Sequence, residues 1–252
     1  MCQKSISKFT PINAYAALAL GDAIECMQSL QENSVDFIIT DPPYNLGLFM
    51  KGRGTNMNKL RAGHFAASGW DDLSFEEWTK QMESFFKECH RVLKKKSNLI
   101  IFMSIIKVET VIRLAESHGF YYKTVGVWHK SNPIPRNMNL HFVNSTETWI
   151  YMVNSGTTGT FNNEGKAIHD FVETSTINNK ERSYGKHPTQ KPIALLKHFI
   201  KILSNPGDVV LDPFMGSGTA GVACGELQRK FIGIELNEDY YKLSKDRILS
   251  SI

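Results

Sequence analysis

Asp41, Pro42, Pro43 and Tyr44 stand directly after an apolar run at residues 35–40. Two successive prolines stiffen a turn and remove two amide donors, leaving carbonyl acceptors beside the Asp41 carboxylate. An acceptor-only pocket of this kind suits a substrate amino group, whose two protons Asp41 and a backbone carbonyl can hold. Tyr44 adds a flat face for a planar base. A structural turn would also use Asp-Pro, which accounts for the prolines but less well for Asp and Tyr together.

A second constellation lies near the other end: Asp212, Pro213, Phe214, Met215, Gly216, Ser217 and Gly218, followed by Thr219. Between a strand and a helix, backbone amides and the positive helix end can meet an anionic or polar group, and glycine lets that backbone approach closely. Glu235 closes the next apolar run, where an acid can accept hydrogen bonds from both hydroxyls of a ribose. The pairing suggests an adenosine-containing cofactor; the other use of Glu235 is to cap a helix. The loop lacks the third glycine of G-x-G-x-x-G, since Gly221 comes one place late, so no diphosphate cradle is evident.

These residues need strand ends to hold them, and the chain alternates strands with helices. Residues 16–20 and 35–40 read as short buried strands enclosing a helix at 23–30, and 98–103 as another strand. Ser74 and Glu77 have capping-box spacing ahead of an amphipathic helix reaching Leu93. A helix at 105–118, closed by Gly119, leads to strands at 122–128 and 146–153. A helix at 192–204 is stopped by Asn205-Pro206-Gly207 and precedes a β-α-β unit: a strand at 209–211, a helix to about Leu227 and a strand at 231–234. A helix at 238–249 follows. The expectation is a doubly wound, mostly parallel α/β sheet with helices on both faces. Residues 45–69 carry Lys51, Arg53, Lys59, Arg61 and His64 with no acid, and read as a long basic loop or a solvated insertion. Residues 155–186 have weak periodicity and could hold a recognition element.

The chain has 252 residues, 42% hydrophobic and 21% charged, close to the average of globular proteins, which argues against a disordered, collagen-like or coiled-coil chain. No apolar run approaches the roughly 18 residues that cross a bilayer. The longest candidate, residues 14–20, is interrupted by Tyr15 and followed by Gly21, Asp22 and Glu25, so a secretory signal is not expected. Cys2, Cys26, Cys89 and Cys224 form no C-x-x-C pair, which fits a reducing cytoplasm without a disulfide framework. No metal site is expected, since His187 has no Cys or His partner at ligand spacing. A net charge of +4 permits nucleic-acid binding without requiring it.

Together the motifs resemble the S-adenosylmethionine-dependent amino methyltransferases of DNA, the adenine-N6 and cytosine-N4 enzymes. Asp41-Pro42-Pro43-Tyr44 is similar to their catalytic motif, the loop from Asp212 to Thr219 to their cofactor loop, and Lys186-His187-Pro188-Thr189-Gln190-Lys191-Pro192 to the segment preceding it. Catalytic motif first and cofactor loop last is the order of the β class. The resemblance implies that Phe214, Gly216 and Gly218 line a pocket for S-adenosylmethionine, along with Asp212, Pro213, Ser217 and Thr219. Glu235, followed by Leu236, would hold the ribose, and Thr189 with Lys186, His187, Pro188 and Gln190 would contact the methionine end. Asp22, next to Ala23, would lie near the adenine ring; a helix N-cap is an equal use of it. Lys186, His187 and Lys191 could instead be solvated surface charge.

The resemblance further implies one core in two halves, 1–130 catalytic and 185–252 cofactor-binding, around a recognition insert at 131–184. Lys51, Arg53, Lys59, Arg61, Lys130, Arg136 and His141 are the candidate DNA contacts. The expected activity is site-specific methylation of adenine N6 in a base flipped out of double-stranded DNA, single strands being a further substrate to consider. Asp rather than Ser at the head of the tetrapeptide favours adenine over cytosine N4. A protein glutamine methyltransferase usually presents Asn first and its cofactor loop earlier; intact Asp41, Tyr44, Gly216 and Glu235 argue against a silent DNA-binding module. A homodimer and a cognate restriction endonuclease are the partners the resemblance suggests.

Overall fold

The computed structural model describes residues 8–46, 73–133, 139, 142–185 and 187–251. Its strands are β1 Thr10–Pro11, β2 Ala16–Leu20, β3 Val35–Thr40, β4 Leu93–Met103, β5 Phe120–Lys130, β6 Thr146–Asn154, β7 Phe171–Thr174, β8 Val209–Asp212 and β9 Lys230–Glu235. The helices are α1 Ala23–Met27, α2 Phe75–Val92, α3 Val108–Ser117, α4 Ile193–Leu203, α5 Thr219–Glu226 and α6 Glu238–Leu249. The strands form one sheet in the order β1-β2-β9-β8-β3-β4-β6-β5-β7. From β2 to β4 every neighbouring pair is parallel, while β6 runs antiparallel to both β4 and β5. The expected doubly wound α/β fold is what the chain adopts.

Alternation along the strands feeds two cores. Leu18, Phe37, Ile39, Ile100, Phe102 and Val210 point to one face with α4, α5 and α6. Ala19, Ile38, Leu99, Ile101 and Leu211 point to the other with α1, α2 and α3. In α2, Trp78, Met82, Phe85, Phe86, Cys89 and Val92 recur at helical spacing and are fully buried. Each large side chain so covered contributes about 1.5–3 kcal/mol of transfer free energy. The capping box is formed: Glu77 N–H donates to Ser74 Oγ at 3.2 Å, and Ser74 N–H to Glu77 Oε2 at 3.0 Å.

Helices of the amino-terminal half thus cover one face and those of the carboxyl-terminal half the other. Beyond β8 the chain turns to β9 on one side, and beyond β3 to β4 on the other. The β8–β3 boundary is therefore a topological switch point, the place where open α/β sheets bind ligands.

Some boundaries differ from the sequence reading. β4 begins at Leu93, directly after α2, because Leu93 pairs with Val35 across a register shift while the exposed lysines 94–96 hide the strand's periodicity. The helix expected from residue 105 starts as a 3-10 turn at Ile105–Lys107 and becomes α-helical only at Val108. β7, a short edge strand pairing parallel with β5, carries too little apolar pattern to be seen beforehand. The span 131–184 contributes both β6 and β7 to the sheet, so a recognition surface in it has to be carried on the segments outside those strands.

Candidate active site at the carboxyl edge of the sheet

Four adjacent parallel strands end side by side, in the order β2, β9, β8 and β3, at Leu20, Glu235, Asp212 and Thr40. With strands about 4.8 Å apart, the residues that follow share one edge. They are tied to one another. Gly21 N–H donates to the Glu235 carbonyl at 2.9 Å, and Thr40 Oγ1 donates to Asp212 Oδ1 at 3.0 Å. The catalytic and cofactor candidates, far apart in sequence, thus leave neighbouring strands as one unit.

At the β3 corner, Tyr44 hydroxyl donates to Asp41 Oδ1 at 2.6 Å, and Lys191 Nζ donates to Asp41 Oδ2 at 2.5 Å. Pro42 is buried and Pro43 partly so. The Asp41 side chain keeps 24% of its surface exposed, enough for a ligand to reach it. Burial raises the Asp41 pKa, against the opposing pull of the Lys191 ammonium. Burial and then the Asp41 charge push the Tyr44 hydroxyl well up, so it remains protonated and a donor. Asn45 forms a two-bond clamp with Leu73, its Nδ2 donating to the Leu73 carbonyl at 3.1 Å and its Oδ1 accepting from Leu73 N–H at 3.0 Å.

At the β8 corner the loop after Asp212 is shaped by glycine. Gly216 and Gly218 have φ of 49° and 73°, left-handed values that L side chains rarely adopt. A Cβ on Gly216 would press on His187 at 3.0 Å, and one on Gly218 would meet Ser244 at 2.8 Å. Asp212 Oδ1 also accepts from Phe214 N–H at 3.1 Å; with burial dominant, its pKa rises to about 7. Glu235 accepts from Gly216 N–H at 2.9 Å and from Asn237 N–H at 2.8 Å, with Leu236 N–H a further backbone donor, so it braces the loop. Burial raises its pKa as well.

The remaining candidates fall around this edge. Asp22 caps α1, accepting from Glu25 N–H at 3.1 Å, with Ala23 buried behind it. His187 packs edge-on to Tyr240 at 4.3 Å, Pro188 and Thr189 are exposed, and Gln190 Nε2 donates to the Glu181 carbonyl at 3.0 Å. Pro213 sits in the loop turn and Leu236 is exposed beside Glu235. Ser217 and Thr219 are buried, their hydroxyl oxygens 3.2 Å apart.

Lys191 is not solvated charge: it is buried, 8% exposed. Lys130, a DNA-contact candidate, is bound to Glu147 at 2.6 Å. Lys51, Arg53, Lys59, Arg61, Arg136, His141 and Lys186 lie outside the described residues. Among the described residues no group of His, Cys, Asp or Glu could hold a metal ion, and no helix is long and apolar enough to cross a membrane.

Three participants escaped the sequence reading. Thr40 links the two loops, Glu147 anchors Lys191, and Arg247 of α6 reaches back to donate to the Ser217 carbonyl at 2.6 Å and to Thr219 Oγ1 at 3.2 Å. A lone acid at the start of an otherwise apolar strand was the available signal for Glu147.

A family model described as DNA methylase, N6_N4_Mtase, matches residues 35–246. The chain is 32% identical over 253 residues to the Type II methyltransferase M.HpaI of Haemophilus parainfluenzae, covering 92% of this chain and 73% of the relative. It is 31% identical over 243 residues to the Type II methyltransferase M2.LlaDCHI of Lactococcus lactis subsp. cremoris, covering 92% and 89%. Among solved structures it is similar to the M1.HpyAVI-SAM complex, with 30% identity, a TM-score of 0.71, and coverage of 92% of this chain and 98% of that one. The cytosine-N4-specific PvuII DNA methyltransferase superposes with a TM-score of 0.76 over 94% of this chain and 88% of its own, at 20% identity, a likeness of fold.

Proposed function

The chain belongs to the N6/N4 family of DNA methylases, and from that membership we propose that it methylates the exocyclic N6 of adenine at specific sites in DNA. The methyl donor is S-adenosylmethionine. The residues present fit it: two left-handed glycines leave the loop backbone bare, and the Glu235 carboxylate, an acceptor for a ribose hydroxyl, ends the adjacent strand. In this reading Phe214, Gly216, Gly218 and Glu235 hold it, with Asp22 toward the adenine and Thr189 toward the methionine end. When bound, it supplies a methyl group made electrophilic by a sulfonium.

The observation that carries the reading is the Asp41 carboxylate: reachable, beside a turn without amide donors at two positions, and one strand from the cofactor loop. The amino group of adenine is a poor nucleophile because its lone pair is delocalised into the ring. Asp41 and the Pro42 carbonyl accept its two protons, draw the nitrogen toward tetrahedral geometry and direct the lone pair outward, by preorganised electrostatics. The raised pKa of Asp41 suits it to take the proton the nitrogen sheds as it becomes methylated. No covalent bond to the protein is needed. Tyr44 stacks on the extruded base, offsetting a few kcal/mol of unstacking.

Asp41 rather than Ser at the head of the motif supports adenine over cytosine. A role in modification beside a restriction endonuclease belongs to the same proposal. Recognition is assigned to 131–184, phosphate contact to the acid-free segment 45–69, and a homodimer belongs to the same proposal. The test is Asp41→Ala, with Asp41→Asn as the variant that keeps the side-chain shape. Transfer should fall at least about a thousandfold while the affinity for S-adenosylmethionine changes less than about threefold. Equal loss of both would sink the assignment.

A further inference from the structure

Lys191 takes no part in the chemistry above, yet it is built into the same corner. Its ammonium lies 2.5 Å from Asp41 Oδ2, 3.2 Å from Glu147 Oε2 and 4.7 Å from the centre of the Phe102 ring. Glu147 in turn receives Lys130 at 2.6 Å. Four charges of alternating sign therefore join β3, the turn ahead of α4, β6 and β5: Asp41, Lys191, Glu147 and Lys130. Taking charges out of water costs several kcal/mol for each, and an apolar side chain would fill the space of Lys191 at less cost. Space filling does not account for a second ion pair behind the first, nor for an aromatic face fixing the ammonium between them.

The arrangement has a consequence for Asp41. Tyr44 holds one carboxylate oxygen and Lys191 the other, so the carboxylate cannot rotate, and one lone pair on each oxygen stays available. Burial favours the neutral carboxyl, which would lose acceptor capacity. Of the groups facing Asp41, Tyr44 and Lys191 stabilise the ionised form, whereas Glu147 and, from the neighbouring strand, Asp212 oppose it.

We propose that Lys191 is a positioning residue for the methyl transfer: backed by Glu147 and Lys130, its ammonium fixes the rotation of the Asp41 carboxylate and holds it ionised for the arriving amino group. This rests on the reading of Asp41 as the amino-group acceptor.

The test compares pH profiles of kcat/KM for the wild type, Lys191→Met, Lys191→Arg and Glu147→Gln, alongside a carbon-13 titration of the Asp41 carboxyl in the full-length protein. Loss of an opposite charge at this distance should move the acid limb and the Asp41 titration upward by about one to three pH units in Lys191→Met. The KM for S-adenosylmethionine should stay within about twofold, and Lys191→Arg should recover part of the activity. Glu147→Gln removes a like charge and should move the limb the other way, downward. A residue that only supported the fold would move neither limb.

An unmoved acid limb in Lys191→Met, or shifts of the same sign in Lys191→Met and Glu147→Gln, would overturn the proposal. If Lys191→Met does not fold, Glu147→Gln decides: a downward limb supports the proposal, and an unmoved or upward limb overturns it. Failure of the wild type to methylate DNA while the carbon-13 shift is present would overturn the assigned reaction and leave the Lys191–Asp41 coupling standing, so the two failures are distinguishable.

Discussion

At the β3 corner of the site Asp41 faces a cation at 2.5 Å, whereas one strand away Asp212 is bound by a hydroxyl and a backbone N–H, Thr40 Oγ1 and Phe214 N–H. The contrast is sharpest between Glu147 and Asp212. For Glu147, burial is outweighed by Lys191 and Lys130 and the pKa falls to about 2; for Asp212, burial outweighs neutral donors and the pKa rises to about 7. Neutral donors satisfy a buried carboxylate's geometry without compensating its charge. The Asp41 corner is thus stabilised as a set of charges, while the Asp212 corner is shaped by backbone and glycine and carries carboxylates that its own residues do not neutralise.

If that division is right, the corners should fail separately. The largest effect is expected at Gly218. Valine there would need a left-handed backbone and would strike Ser244, so affinity for S-adenosylmethionine, measured by calorimetry, should fall by at least about a thousandfold. DNA binding should remain.

Next come two opposite pH effects on stability, read from denaturant unfolding. The folded pKa of Asp212 lies above its ordinary value of 3.8, so its contribution is favourable below about pH 4 and is lost as pH rises through about 7. Asp212→Asn should therefore gain roughly 2–4 kcal/mol over the wild type at pH 8 and nothing at pH 4. The folded pKa of Glu147 lies below its ordinary 4.5, so its contribution is present above about pH 4.5 and is lost as pH falls through about 2. Glu147→Gln should be roughly 2–3 kcal/mol less stable than the wild type at pH 7, a gap that closes at pH 2. Equal pH responses of the two variants would erase the distinction between the corners.

The smallest effect belongs to Lys130, which sits one ion pair further out with 17% of its side chain exposed. Lys130→Ala should cost about 1 kcal/mol and lower turnover only a few-fold. A loss of DNA affinity with a reduced salt slope would instead make it a phosphate contact, as its position in the sequence first suggested.

The sequence showed the two corners more clearly than what joins them. β2 and β3 were legible to the residue, because short buried strands bounded by turn residues carry their limits locally. The candidate tetrapeptide after β3 and the glycine loop after β8 stood out for the same reason. The bonds that make one site of them run across the sheet. Thr40 and Asp212 are 172 positions apart, Asp41 and Lys191 150, and Ser217 and Arg247 30. No local periodicity encodes such pairs, so the sequence left Lys191 open between the segment before the glycine loop and surface charge, and gave no sign that Lys130 pairs with Glu147. β7 was missed because Phe171–Thr174 is mostly exposed and gains order only from pairing with β5.

In the proposed reaction the Asp41 corner accepts the amino group of adenine in DNA. The measurement that tests it most directly is incubation of the protein with methyl-labelled S-adenosylmethionine and unmethylated duplex DNA of varied sequence, followed by digestion to nucleosides and mass identification of the labelled product. Label is expected in N6-methyldeoxyadenosine. Label in N4-methyldeoxycytidine alone would contradict the adenine assignment, and no labelled nucleoside from protein that binds S-adenosylmethionine would contradict methyl transfer to DNA at the Asp41 corner.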